Sequence, residues 1–142
     1  MKATYTAVAT SIGGREGHVK SVSGIIDMDL RTPQEMGGKG EKGSNPEELF
    51  AAGYSACFNG ALNLAARMKR VEAGETKVTV SVSFGKSERN EDGFEIEAKI
   101  EAEIPGVSQD IADMLVKRAH ELYPYSRATR GNIDVELIAK VI

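Results

Sequence analysis

An α+β fold is predicted for this chain, with antiparallel-looking groups of strands set around two helices. Three observations predict it. Polarity alternates with a period of two in five segments. Apolar residues recur at helical spacing in two others. The order is three strands, a helix, two strands, a helix and a strand, whereas a wound parallel sheet would alternate strand and helix throughout.

The first strand is expected over 3–10, where Ala3, Tyr5 and Ala7 alternate loosely with Thr4, Thr6 and Val8. Gly13-Gly14-Arg15-Glu16-Gly17 is a turn signal, and a short strand is expected over 18–22. Ile26, Met28 and Leu30 alternate with Asp27 and Asp29, a third strand with one wet face. The stretch 32–44 reads as a loop with Pro33 and four glycines.

The first helix is predicted over 46–70. Asn45 suits the N-cap and Pro46 the first helical position. Glu47 and Glu48 complement the positive end of the helix dipole. Beyond them the residues are almost all small or apolar, which predicts burial nearly all round. One small sheet covers one side of such a helix, so a second copy of the chain is expected against the other.

Val78, Val80, Val82 and Phe84 alternate with small polar residues. Phe94, Ile96, Ala98, Ile100, Ala102 and Ile104 alternate with charged ones. Together they predict an antiparallel hairpin closed by the polar loop 86–92. Ser108 is the expected cap of a second helix with Ile111, Met114, Leu115, Ala119 and Leu122 on its apolar stripe. Pro124 ends or kinks that helix. The last strand is expected over 133–141.

Bulk properties narrow the function. At 142 residues the chain fits a single domain spanning 1–142, with room for a core. A net charge of −3 argues against nucleic-acid binding, which favours a basic face. No apolar run approaches the roughly 20 residues of a membrane span. The opening residues alternate in polarity, unlike the apolar block of a signal peptide. A single cysteine excludes an internal disulfide and fits a reducing, cytoplasmic setting.

Two motifs are decoys. Gly38-Lys39-Gly40-Glu41-Lys42-Gly43 matches the glycine pattern of dinucleotide sites. The helix after it opens with two glutamates that would repel a pyrophosphate, and no parallel β-α-β unit surrounds it. His120-Glu121 begins like a zinc helix motif, but Pro124 occupies the place of the second histidine. No metal or other cofactor is expected.

Cys57 remains. A lone cysteine in a helix is most often a small packed hydrophobe. Reactivity needs the thiolate, and in apolar surroundings a thiolate needs a cation. The helix start lies eleven residues back, about 16 Å along the axis, so the cation has to come from elsewhere.

The stretch Asn45-Pro46-Glu47-Glu48-Leu49-Phe50-Ala51-Ala52-Gly53-Tyr54-Ser55-Ala56-Cys57-Phe58 resembles the reactive-cysteine segment of the organic hydroperoxide resistance (Ohr) branch of the OsmC/Ohr family. Pro124-Tyr125-Ser126-Arg127-Ala128-Thr129-Arg130-Gly131-Asn132-Ile133 is similar to that branch's segment before its last strand. Gly13–Gly17 resembles the loop carrying the family's arginine. The resemblance implies antiparallel sheets wrapped around two long central helices in an intertwined homodimer. It implies a thiol peroxidase for organic and fatty-acid hydroperoxides, reduced by an external dithiol such as a lipoylated protein.

By position, Cys57 is then the peroxidatic cysteine, Arg15 the residue that holds its thiolate and orients the peroxide, and Glu47 the acid that fixes Arg15. Phe50, Tyr54, Tyr123 and Tyr125 are the expected substrate-binding residues. Arg130 is expected to be structural. Glu47 and Cys57 lie about 15 Å apart along one helix, so an arginine serving both is more easily supplied across a dimer.

One position departs from the family. Tyr123 stands where the peroxidases carry a second, resolving cysteine, so their two-cysteine cycle cannot run here. Three outcomes remain open. A one-cysteine peroxidase would be resolved by an external thiol and prone to over-oxidation. The alternatives are a thiol sensor and a catalytically silent binding module for apolar ligands.

Overall fold

The expected sequence of elements is present. Strands β1 (Ala9–Ile12), β2 (His18–Ser21) and β3 (Asp27–Asp29) precede the helix α1 (Pro46–Met68). Then come β4 (Lys77–Lys86), β5 (Phe94–Ile104), helices α2 (Gln109–Leu122) and α3 (Pro124–Thr129), and β6 (Val135–Val141). The computed structural model describes residues Met1–Ile142, and its contacts fall into two units, Met1–Leu49 and Phe50–Ile142.

In the first unit β1, β2 and β3 form an antiparallel sheet in that order. The first strand is displaced from its expected place at 3–10. Its ladder pairs Ala9 with Ser21 and Ile12 with His18, and one further bond joins Val22 N–H to the Val8 carbonyl. Where β2 gives out at Ser21, earlier residues have no strand to pair with, and their loose alternation could not set a register. Leu30 is buried and bridges to Ser44, which returns the long loop to the start of α1.

Helix α1 starts as its sequence predicts. The Asn45 side-chain oxygen accepts the Glu48 backbone N–H at 2.8 Å, and the Ser44 hydroxyl donates to the Glu48 carboxylate at 2.6 Å. It stops two residues short of the expected end. Arg70 adopts a left-handed φ of 55°, while Arg70 N–H bonds Arg67 O and Val71 N–H bonds Ala66 O. That is a C-terminal cap of the kind usually built on glycine, and no glycine announced it.

Within the single chain α1 is covered on one side only. Tyr54, Phe58, Ala61, Leu62, Ala65 and Ala66 are buried, whereas Ala52, Ala56 and Asn63 are exposed. Small residues fit an exposed face as well as a buried one, so a run of alanines and serines does not fix how much of a helix is covered.

In the second unit β4, β5 and β6 form a sheet with β5 in the middle. β4 and β5 form the expected antiparallel hairpin, with Val80 opposite Ile100 and Phe84 opposite Ile96. However, β6 runs parallel to β5, from Ala98 opposite Val135 to Ile104 opposite Val141, so this sheet is mixed. The long crossover through α2 and α3 permits the parallel return that a tight hairpin cannot make.

Ser108 caps α2, accepting the Ile111 N–H. The buried stripe of α2 is Ala112, Leu115, Val116 and Ala119, an i, i+3, i+4, i+7 set, and Met114 is exposed. Pro124 closes α2 and opens α3, where its missing N–H is harmless. The core joins Tyr54, Phe58 and Leu62 of α1 to Ile100 and Ile104 of β5 and Leu115 of α2. No helix is long and apolar enough to cross a membrane.

Candidate active site

In the first unit the arginine loop is built to present a side chain. Gly13 takes a left-handed φ of 79°, and Gly14–Glu16 form one tight 3-10 turn. A Cβ on Gly17 would stand only 1.7 Å from the Ile12 carbonyl oxygen, so the loop closes only with glycine there. Thr32 N–H donates to the Glu16 carboxylate at 3.0 Å, and Arg31 donates to the carbonyls of Glu16, Gly17 and Leu30. Glu16 itself is held below the usual carboxylate range, first by its bond from Thr32.

On this braced loop Arg15 meets Glu47 in a two-pronged pair. Nη1 donates to Oε2 at 2.7 Å and Nη2 to Oε1 at 2.6 Å. The Glu47 side chain is 14% exposed and that of Arg15 35%, so the acid is the better sheltered member. Hydrogen bonding from Arg15 lowers the Glu47 pKa, and the same bond raises that of Arg15. The pair stays charged throughout the neutral range, and its fork fixes the plane of the guanidinium.

In the second unit Cys57 is a free, half-buried thiol. At 100° per residue, Gly53 and Gly60 lie about 40° and 60° round the helix from it, both on the same side. This glycine groove holds two rings. A Cβ on Gly53 would lie 3.2 Å from the Tyr125 hydroxyl, and one on Gly60 would lie 3.4 Å from the Tyr123 hydroxyl. Neither phenol has a hydrogen-bond partner in the chain. Phe50 stacks on Tyr125 with ring centroids 6.2 Å apart and meets Tyr54 edge-on at 5.7 Å.

Tyr54 differs from its neighbours. It is fully buried, and its hydroxyl is taken up by Thr129 Oγ1 at 2.9 Å and Ser126 Oγ at 3.3 Å. It therefore ties α3, and with it Tyr125, to α1. Of the residues singled out in the sequence, Arg15 is brought to Glu47, and Phe50, Tyr54 and Tyr125 form one aromatic cluster. Tyr123 stands apart from that cluster, against Gly60.

Four residues escaped the sequence reading: Gly53, Gly60, Ser126 and Thr129. The glycines carried a signal, since each costs about 1 kcal/mol against alanine inside a helix and calls for a packing reason. Arg130 donates to the Glu121 carbonyl at 3.4 Å and caps no acid within the chain.

The chain thus carries a lone helical thiol, an arginine–glutamate fork and an aromatic cluster on an α+β fold. Comparison with known proteins gives its family. Residues 38–138 match the model of the OsmC-like protein family. The organic hydroperoxide resistance protein of Xanthomonas axonopodis pv. citri is 45% identical over 137 residues, covering 96% of this chain and 94% of the relative. The OhrA protein of Bacillus subtilis is 46% identical over 134 residues, 94% of each. The crystal structure of an organic hydroperoxide resistance protein from Elizabethkingia anophelis superposes with a TM-score of 0.93 at 47% identity over the whole of both chains. That of OhrB from Bacillus subtilis gives 0.88 at 41%, covering 99% of this chain and all of the other. The chain belongs to the OsmC/Ohr family, among the organic hydroperoxide resistance proteins, and it carries one cysteine.

Proposed function

We propose that the protein protects against organic hydroperoxides as a one-cysteine thiol peroxidase. The observation that carries this reading is the Arg15–Glu47 fork at 2.7 and 2.6 Å. A thiol that merely packs needs no oriented guanidinium, whereas a thiolate that attacks a peroxide does. Relatives named for organic hydroperoxide resistance, at about the same length, support it.

The Cys57 thiolate attacks the terminal oxygen of the hydroperoxide. An S–O bond forms, the O–O bond breaks, and the alkoxide leaves with the electron pair and takes up a proton to become the alcohol. Sulfur is oxidised to the sulfenic acid and the peroxide is reduced. Arg15, held flat by Glu47, supplies positive charge to the thiolate and the departing oxygen. Phe50, Tyr123 and Tyr125 take the apolar part of the substrate, with Tyr54 beneath them as the anchor of α3. An external dithiol then attacks the sulfenic sulfur and displaces water. Its second thiol closes the donor's own disulfide and frees Cys57.

The working unit of this reading is a homodimer in the cytoplasm. The exposed small residues Ala52 and Ala56 on α1 support a second copy against that helix. So do the exposed apolar side chains Tyr5, Ile12, Val22 and Ile25 of the first unit.

The test is consumption of cumene or fatty-acid hydroperoxide with dihydrolipoamide as donor. Turnover is expected, and Cys57→Ser abolishes it. No turnover with any thiol, together with a Cys57 left unmodified by peroxide, would leave the rival reading, a silent binding module for apolar ligands.

A further inference from the structure

We propose that Tyr123 is a catalytic residue of the oxidised state, donating its phenol hydrogen to the oxygen that Cys57 carries as a sulfenic acid. This rests on the peroxidase reading and goes beyond it by assigning what handles the oxidised sulfur in a chain with no second thiol.

Helix geometry supplies the first argument. Cβ atoms three or four residues apart on a helix are about 5–6 Å apart. The Tyr123 hydroxyl lies 3.4 Å from where a Gly60 Cβ would stand, and the Tyr125 hydroxyl 3.2 Å from the Gly53 position. Both positions flank Cys57 on the same side. The two glycines thus place both hydroxyls on the side of α1 from which a sulfenic oxygen on Cys57 is reached.

Hydrogen-bond accounting supplies the second. The Tyr54 phenol is spent on Thr129 and Ser126. Tyr123 and Tyr125 have no partner within the chain, so each has a donor to offer a new acceptor. Reduced Cys57 offers only sulfur, whereas its sulfenic acid adds an oxygen acceptor. Tyr123 is the better placed of the two to stay there. It is half-buried and lies outside the aromatic cluster, whereas Tyr125 is more exposed and engaged with Phe50.

The chemical consequence follows from the electron balance of over-oxidation. A sulfenate becomes a sulfinate when its sulfur donates an electron pair to a second hydroperoxide, forming another S–O bond as a second alkoxide leaves. A hydrogen bond to the first oxygen withdraws electron density from that sulfur and disfavours the step. Attack by a dithiol delivers electrons to the sulfur instead, with the oxygen departing as water, and a donor at that oxygen assists its departure. The phenol thus favours rescue over loss.

Intact-mass spectrometry of the native protein and of Tyr123→Phe tests this, with stepwise cumene hydroperoxide and without donor. The variant keeps the ring against Gly60 and loses only the hydroxyl. Native Cys57 is expected to stop at the sulfenic acid, whereas Tyr123→Phe passes to the sulfinic acid about tenfold more readily, the worth of one hydrogen bond to a charged group. Tyr125→Phe gives a smaller change. Equal partition between sulfenic and sulfinic acid in native protein and Tyr123→Phe overturns the proposal while leaving the peroxidase reading intact. A native Cys57 left unoxidised by the peroxide overturns both.

Discussion

Arg15 and Glu47, thirty-two residues apart in sequence, share two hydrogen bonds at 2.7 and 2.6 Å. The fork makes the arginine a directed group. A single contact would leave the guanidinium free to rotate about it, whereas two parallel bonds set its plane. Glu47 sits in the first turn of α1, where the helix dipole also favours its charge.

Glu47→Gln keeps the size of the side chain and loses the second strong acceptor. Its kcat/KM for cumene hydroperoxide is expected to fall by at least tenfold, the order of one charge-assisted bond. Arg15→Lys is not expected to restore activity, because an ammonium cannot make the fork. The Glu47 pKa is depressed by Arg15, so the pair's contribution is present above the ordinary carboxylate range and lost as pH falls through the depressed value. Activity across pH 6–8 is therefore expected to be insensitive to Glu47 titration, and kinetics on the native protein at falling pH check this.

Tyr123→Cys places a second thiol at residue 123, in a chain that otherwise has one. One equivalent of organic hydroperoxide is expected to drive this variant to an internal disulfide with Cys57, read as the loss of two hydrogens in intact mass. The native chain, with one cysteine, cannot show that product. Persistence of a sulfenic acid in the variant would mean that residue 123 does not reach Cys57.

Tyr54→Phe removes the hydroxyl shared with Thr129 and Ser126. Those two side chains are buried, so their oxygens lose a partner that water does not replace. Thr129 still donates to the Ser126 carbonyl at 3.2 Å, which limits the damage. A loss of about 1–3 kcal/mol is expected in chemical denaturation. The KM for hydroperoxide is expected to rise more than kcat falls, because α3 carries Tyr125.

His18 provides a pH test in the first unit. Its Nδ1 lies 2.8 Å from Asp29 and its Nε2 2.5 Å from Asp27, and only the imidazolium can donate to both. Lys20 and Arg31 also reach these acids. Asp29 first and Asp27 second raise the His18 pKa above its ordinary value of about 6.5. The bridge is fully formed below that ordinary value, and its contribution to stability is lost as pH rises through the raised one. NMR titration of His18 is expected to give a midpoint above 6.5, and His18→Gln removes the corresponding step from the pH profile of stability.

Much of the fold was legible because its signals are local. Asn45, Pro46, Glu47 and Glu48 act within one turn, so the start of α1 could be read to the residue. The alternation of Ile96, Ala98, Ile100, Ala102 and Ile104 is dense enough to mark β5 and its inward face. The loose alternation before Ala9 was not, and the strand there lies elsewhere. Met114 was misplaced because the expected stripe, drawn around Ile111 and Leu122, was centred about 70° round the helix from the buried one, which includes Ala112 and Val116.

The sequence by itself determined that the chain folds as strands around capped helices, that its one thiol sits well inside α1, and that no internal disulfide can form. Each of these depends on residue identity or on contacts within a turn. Only the tertiary structure decided that β6 returns parallel to β5, that Tyr54 spends its hydroxyl on residues seventy-two and seventy-five positions away, and that Tyr125 lies against Gly53 and Tyr123 against Gly60. These pairings join residues far apart along the chain. The free energy of each depends on where the whole backbone brings them, and no local pattern carries that information.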